Sequence, residues 1–324
     1  MVNGETLLSR NIRQAGVEAR YDAACKKLLS HKIILAWIMK SCLDEYKHLD
    51  VVEIAANYIE GAPQIAEIGV HLDETNHQNY TTDRNIRGTN TESITKTEGI
   101  VTYDIRFLAS TPQSDGMNRL ILNVEAQNDF YPGYPIVKRG IYYCSRMISA
   151  QYGMEFGEGE YGKLQKVYSI WICMNPPKKR ENSIIHYSVQ ENTVTGQSYE
   201  KKENYDLLTT VMICLGESEE TGDDKTGILR LLNVLLSSTI KAEEKKRILE
   251  QEYAIAMTRE LEGEVLGMCN LSKGVLERGK REGIINNTVI SIQNLMETLK
   301  LTAEQAMDAL KVPEADREMY KAML

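Results

Sequence analysis

None of the six cysteines of this 324-residue chain stands in a Cys-x-x-Cys pair. Cys25, Cys42, Cys144, Cys173, Cys214 and Cys269 instead lie within apolar or helical runs. That predicts buried free thiols in a reducing compartment, not disulfides or a zinc site. The five histidines show no ligand spacing either. No apolar run is long enough to span a bilayer, so no membrane partner is expected. Residues 1–10 lack a basic segment followed by an apolar core, which argues against a secretory signal and for a cytoplasmic protein. A basic excess is also missing, since the formal net charge is −8. This argues against a protein that coats nucleic acid through bulk charge. It leaves room for an enzyme that touches nucleic acid through a local basic strip. The candidate strip is Lys138-Arg139 with Arg146, plus Lys178-Lys179-Arg180.

What is present is globular: 42% hydrophobic and 26% charged residues, at a length for one large domain or two ordinary ones. Helical spacing of apolar positions runs through residues 20–43. Residues 44–66 read as a short helix and a strand. Residues 71–98 are polar and rich in Thr and Asn, a long loop of the kind that is often functional. Residues 100–108 and 119–127 read as two strands joined by turn chemistry at residues 111–116. Pro135 opens an amphipathic helix over residues 136–152. Residues 166–174 are apolar, β-branched and aromatic, which suits a buried central strand. Residues 184–190 alternate like a further strand, and residues 207–215 fit a buried strand or a helix. The acidic stretch 217–224 reads as a mobile loop without calcium-ligand spacing.

From about residue 226 the pattern becomes helical: residues 229–237, 242–253, 257–276 and 284–299. Gly279 and Gly283 weaken the segment between the last two, at about 1 kcal/mol each, and predict a hinge near residues 275–285. Thr302 and Gln305 form a capping box that opens another helix, and residues 314–324 suit one more. The expected organisation is a core over residues 1–225 and an α-helical C-terminal region over residues 226–324.

Two acidic residues stand out within the strand runs. Asp104 lies in Val-Thr-Tyr-Asp-Ile-Arg-Phe, and Glu125 lies in Leu-Asn-Val-Glu-Ala-Gln-Asn-Asp. An unpaired carboxylate in an apolar interior costs several kcal/mol, so ordinary buried strands exclude it. Two strand carboxylates aimed at one place suggest a divalent cation such as Mg²⁺ (or Mn²⁺), which needs only one or two of them. Gln127 is two residues past Glu125 and so shares its face. It can orient a water by hydrogen bonding but cannot act as a cation or a base. Taken alone, Asp104 reads as a strand-end partner of Arg106 or Arg119. Asp22, taken alone, reads as a solvated helix acid. Trp37 and Trp171 read as core residues.

Asp104, a turn, Glu125-Ala-Gln127, then a helix and an apolar strand resemble the PD-(D/E)XK nuclease superfamily. The words Glu-Gly-Ile-Val-Thr-Tyr-Asp-Ile-Arg-Phe, Asn-Val-Glu-Ala-Gln-Asn-Asp-Phe-Tyr-Pro-Gly-Tyr-Pro and Val-Tyr-Ser-Ile-Trp-Ile-Cys-Met resemble, more narrowly, the recombination-promoting nuclease (Rpn) and transposase family, over roughly residues 20–275. The resemblance implies a restriction-endonuclease-like α/β core, a mixed central sheet flanked by helices. It implies a Mg²⁺-dependent endodeoxyribonuclease linked to recombination or mobile elements, with DNA as partner. Asp104 and Glu125 match the metal-binding acids. Gln127 matches a position that is Lys in much of the superfamily and Gln in this branch. Arg139 and Tyr143 match an Arg-x-x-x-Tyr pattern that can contact the substrate phosphate, and spaced by four they share a helix face. Asp22, with Lys26, matches a first helix whose acid can approach the metal. The rival expectation is a nuclease-fold module with decayed catalysis that binds nucleic acid or a partner protein. In either case the C-terminal helices are candidates for homo-oligomer contacts. The last two loosely resemble a helix-turn-helix but hold few basic residues.

Overall fold

A computed structural model describes residues 7–65, 92–95, 99–112, 119–197, 199–216, 227–237 and 239–324. The chain opens with α1 (Leu7–Leu29) and α2 (Lys32–Cys42), which interrupt the single predicted helix at Ser30 and His31. A short turn, α3 (Val51–Glu53), is capped by the Asp50 carboxylate and passes through a π-helical turn into β1 (Ile59–Ile65). Then come β2 (Glu92–Thr95), β3 (Gly99–Thr102), β4 (Ile105–Ser110), β5 (Arg119–Gln127) and α4 (Ile136–Ser149). They are followed by β6 (Lys166–Cys173), β7 (Ser183–Ser188) and β8 (Leu208–Cys214). The helices α5 (Ile228–Leu236), α6 (Ala242–Tyr253), α7 (Arg259–Leu299), α8 (Ala303–Ala309) and α9 (Glu314–Lys321) complete the chain.

The result is an α/β fold around a six-stranded mixed sheet in the order β1-β4-β5-β6-β8-β7. The β5–β6 and β6–β8 pairs are parallel, and the other pairs are antiparallel. Three expectations are revised or resolved here. The strand expected over residues 100–108 is two strands, because Tyr103 and Asp104 bend the chain between β3 and β4. The ambiguous run at residues 207–215 is strand β8, parallel to β6. The loop expected at residues 71–98 contains strand β2, which pairs antiparallel with β3 as a separate sheet. The rest of that loop, most of the turn at 111–116 and the acidic stretch at 217–224 lie outside the described residues.

Alternation along the central strands divides the sheet into two buried faces. Leu120, Leu122 and Val124 of β5 join Leu28, Leu35 and Met39 of α1 and α2 in one apolar cluster. Ile121, on the opposite face, joins Tyr143, Cys144 and Met147 of α4 with Trp171 of β6. Burial on both faces is why β6 and β8 read as continuous apolar runs. The helix α4 forms because Ile136, Gly140, Tyr143, Cys144 and Met147 recur at helical spacing and all are buried. All six cysteines are buried and free. No helix among the described residues is long and apolar enough to cross a membrane.

The expected division at residues 225/226 falls instead at Cys269/Asn270. Leu231, Leu235, Leu249, Leu261 and Met268 belong to the same apolar cluster as β5, so α5, α6 and the first turns of α7 are core. Lys245 of α6 is buried there and donates to Leu235 O and Ser237 O, both at 2.8 Å, closing the end of α5. The hinge expected at residues 275–285 lies within the continuous helix α7. The second unit, residues 270–324, has its own small core of Val289, Ile292, Ala306, Met307, Val312 and Tyr320. Its α8 begins with the predicted capping box, Thr302 N–H to Gln305 Oε1 at 2.9 Å and Gln305 N–H to Thr302 Oγ1 at 3.2 Å.

Close approach of α4 to the sheet depends on Gly140. A Cβ there would lie 2.4 Å from Thr210 Cγ2 and 3.0 Å from Trp171 Nε1. Gly140→Ala is therefore expected to destabilise the protein by about 1–3 kcal/mol in urea denaturation, outweighing alanine's better helix propensity. Adding Thr210→Ser, which removes Cγ2 and keeps the hydroxyl, should recover part of that loss.

Candidate active site

Asp104 occupies the bend that leads into β4, and the register Ile105↔Val124 sets it opposite Glu125 of β5. Each carboxylate accepts a backbone N–H from the facing segment. The Asp104 N–H donates to Glu125 Oε1 at 3.0 Å, and the Ala126 N–H donates to Asp104 Oδ2 at 3.0 Å. Asn123, two residues before Glu125 on the same face, donates its side-chain N–H to Glu125 Oε1 at 2.9 Å. A third acid approaches from α1: Lys26 Nζ lies 2.9 Å from Asp104 Oδ1 and 2.5 Å from Asp22 Oδ2. The strand-end pairing of Asp104 with Arg106 or Arg119 does not form. Lys26 takes that place, and Arg119 pairs with Glu60 at 3.0 Å.

Burial dominates the electrostatics. Glu125 is 3% exposed, and desolvation, with the Asp104 charge second, raises its carboxyl well above the ordinary value. The Asp104 side chain is 18% exposed, so it is the acid of the pair that solvent and ligands can reach. Its carboxyl is also raised by burial, against the pull of Lys26. Burial works against the Lys26 charge, but Asp104 and Asp22 outweigh it and carry that ammonium up to about 12. Lys26 thus stays protonated at neutral pH.

On the other face, Arg139 of α4 donates to Tyr143 Oη from Nε at 2.9 Å and from Nη2 at 2.6 Å, and to Tyr134 Oη from Nη1 at 2.7 Å. Its guanidinium lies 5.4 Å from the Trp171 ring centroid, and Trp171 is in register with Glu125. Burial opposes the guanidinium charge, while Tyr143 and then Glu125 favour it and leave it raised. Burial pushes the Tyr143 hydroxyl up, so it remains protonated.

Asp104, Glu125, Asp22, Arg139 and Tyr143 are thus gathered around one end of β4 and β5. Gln127 shares the Glu125 face by alternation but donates its amide to Asp129 O. Arg146, counted in the basic strip, is buried and leaves the surface to Lys138. Sequence reading missed the ion pair of Lys26 with Asp104 and the polar role of Asn123. The signals were there: Lys26 follows Asp22 by one helical turn, and Asn123 precedes Glu125 by one strand period.

The donor set suits a hard cation. Asp104 and Glu125 offer oxygen only, and Mg²⁺ is commonly held by one or two carboxylates with water completing its shell. The Lys26 ammonium already neutralises Asp104 and Asp22 in that position. Asn123 Oδ1 is buried beside Glu125 without a hydrogen-bond partner among the described residues, one more oxygen facing inward. Among the described residues no group of three or more His, Cys, Asp or Glu converges on a point. Comparison with protein-family models, with curated proteins and with solved structures finds no match.

The raised Glu125 carboxyl sets a pH dependence. Its protonated form is favoured in the fold, so this stability is complete below the ordinary carboxylate pKa. It is lost as pH rises through the folded value. Glu125→Gln keeps an acceptor for Asp104 and Asn123 and cannot ionise. Its urea midpoint is expected to track the native protein at about pH 4 and to exceed it increasingly toward about pH 8. Parallel midpoints across that range would refute the assignment of a disfavoured buried charge.

Proposed function

We propose that this chain is a metal-dependent nuclease of the PD-(D/E)XK type, similar to the recombination-promoting nucleases, hydrolysing phosphodiester bonds of DNA. The observation that carries the reading is the Asp104–Glu125 unit. The Glu125 carboxylate of β5 and the Asp104 carboxylate, in the bend that leads into β4, are held by the N–H groups of Asp104 and Ala126, with Lys26 on one side and Arg139 on the other. The mixed sheet, with α1 and α2 on one face and α4 on the other, is compatible with a restriction-endonuclease-like core.

A bound Mg²⁺ or Mn²⁺ ion would supply charge neutralisation at the phosphate and an activated water. Asp104 and Glu125 would hold it. Asp104 is the reachable ligand, and Glu125 is fixed by two donors to Oε1. Lys26 keeps its proton, so it acts as positive charge beside the phosphate and not as a base. Arg139 is aimed by Tyr134 and Tyr143 and stacked against Trp171, a preorganised donor for a phosphate oxygen. Gln127 has its amide N–H engaged by Asp129, and its amide oxygen is the acceptor it can offer an attacking water.

The second reading, a binding module with decayed catalysis, is favoured by one observation. Lys26 Nζ already satisfies Asp104 and Asp22, at 2.9 and 2.5 Å, as a resident cation.

Nicking of supercoiled plasmid with and without Mg²⁺ separates the two. Under the nuclease reading, Asp104→Asn and Glu125→Gln each lower the Mg²⁺-dependent rate at least about 100-fold while circular dichroism stays native. Equal cleavage by native protein and variants removes the site assignment. Calorimetric titration with Mn²⁺ gives a second readout. Heat that disappears in Asp104→Asn supports the enzyme, and no binding by the native protein supports the module.

A further inference from the structure

The end of the sheet that carries Gln127 also builds a surface that the carboxylates do not use. Gln127 of β5 is in register with Cys173 of β6, so the chain leaves both strands side by side. The two exits are pinned together where Asn175 Nδ2 donates to Asn128 Oδ1 at 2.7 Å and to Asn128 O at 3.2 Å. On the first exit, Phe130 packs into the cluster beneath α4, while the next residue, Tyr131, is 67% exposed. Tyr131 is not loose. Its backbone N–H donates to Asp129 Oδ1 at 2.8 Å, and its ring meets Phe130 edge-on, with centroids 5.1 Å apart at 77°. The second exit brings cations. Arg180 stands 5.7 Å over the Phe130 ring, and Lys178 and Lys179 are exposed on the same turn. Asp129, one acid close by, is committed to the loop backbone.

A fixed, outward-facing aromatic ring bordered by a cluster of cations suits a nucleobase joined to phosphates. Stacking needs a free π-face, and bases inside a duplex have none to offer. Cations beside the ring pair with the backbone of the same strand. Such local charge stands out on a chain whose net charge is −8. An acidic protein partner would answer the cations alone and leave a rigid exposed tyrosine unexplained. We infer that the nucleic acid meets this protein as an unpaired strand, one base of which stacks on Tyr131 while its phosphates lie along Lys178, Lys179 and Arg180. The inference rests on the nuclease reading for the position of the cut. It narrows the substrate to DNA with a single-stranded segment next to that position.

The test uses the full chain and two probes, a fluorescently labelled oligothymidine of about 20 nucleotides and a blunt duplex of the same length. Anisotropy is read in EDTA so that cleavage does not interfere. The native protein is expected to bind the single strand more tightly than the duplex. Tyr131→Ala should weaken single-strand binding about tenfold and leave duplex binding unchanged, while Tyr131→Phe keeps native affinity. Replacing Lys178 and Lys179 by Ala should flatten the salt dependence with both probes. Equal single-strand affinity for native protein and Tyr131→Ala overturns the inference, and so does a native preference for the duplex. Cleavage of the same oligonucleotides with Mg²⁺ distinguishes the two claims. Native protein that binds through Tyr131 without cutting sinks the nuclease reading alone. Native protein that cuts without using Tyr131 sinks the unpaired-strand inference alone. Absence of binding to either probe in EDTA overturns the unpaired-strand inference, and absence of cleavage with Mg²⁺ as well removes both.

Discussion

A carboxylate at the position of Glu125 has almost no water to solvate it, and the donors around that side chain offset part of this deficit. Its Oε1 accepts from the Asp104 N–H and from Asn123. The Asp104 carboxylate in turn accepts from the Ala126 N–H. Beyond β4, where the strand breaks at Tyr103 and Asp104, these two side chains take over the hydrogen bonds that a continued ladder would have made. The same contacts therefore close the strand pair and aim the acids. Even so, they do not abolish the cost of charge, since desolvation still holds the Glu125 carboxyl high. Charge on such acids is favoured where a cation lies close, and in the fold Lys26 supplies one to Asp104.

Two helices answer that need from opposite faces of the sheet. On α1, Cys25, Leu28 and Leu29 are driven into the core, which carries the intervening Lys26 to the strand end, where its ammonium meets Asp104. On α4, Gly140 lets the helix backbone sit against Thr210 and Trp171, and so sets the neighbouring Arg139 over the indole. Packing and electrostatics are thus not separable here. Apolar side chains one or a few residues away fix the height of each cation above the sheet. The charges in turn are tolerated because Tyr134, Tyr143 and Asp22 satisfy the donors that do not face the acids.

Much of this was legible in the residue order, for a physical reason. Strand and helix periodicities mark burial, so β5, β6 and α4 could be placed, and an acid inside such a run is conspicuous. Asp104 and Glu125 were found that way, and Arg139 and Tyr143 through the resemblance to an Arg-x-x-x-Tyr pattern, which their spacing by four places on one helix face. What escaped detection depends on partners distant in sequence. Lys26 and Asp104 are brought together only by the sheet. Arg146, basic in the sequence, is buried because its helix turns that face inward. The bend at Tyr103–Asp104 was hidden because both flanking segments have strand character. The boundary near residue 225 was misplaced because helicity was taken for independence, whereas Leu235, Leu249 and Met268 share the core of the sheet. Gly279 and Gly283 did not break α7, because a helical penalty of about 1 kcal/mol per glycine is easily overcome in a long helix.

The candidate site also lies where the topology of the sheet would put one. β5, β6 and β8 run parallel and end together at Gln127, Cys173 and Cys214, and in open α/β sheets ligands gather beyond such carboxyl ends. The opposite end holds a cavity of about 320 Å³ lined by Lys166, Tyr168, His186 and Asp206. Its charges are already answered: Lys166 pairs with Glu45 at 3.1 Å and with Asp206 at 2.7 Å, and Tyr168 donates to Glu45. Enclosure is therefore a poor guide in this molecule. A small metabolite calls for a cavity that surrounds it, whereas a polymer must enter and leave sideways. The acids at the ends of β4 and β5, with Lys26 and Arg139 on the two faces of the sheet, match the proposed polymeric substrate in needing no enclosing cavity.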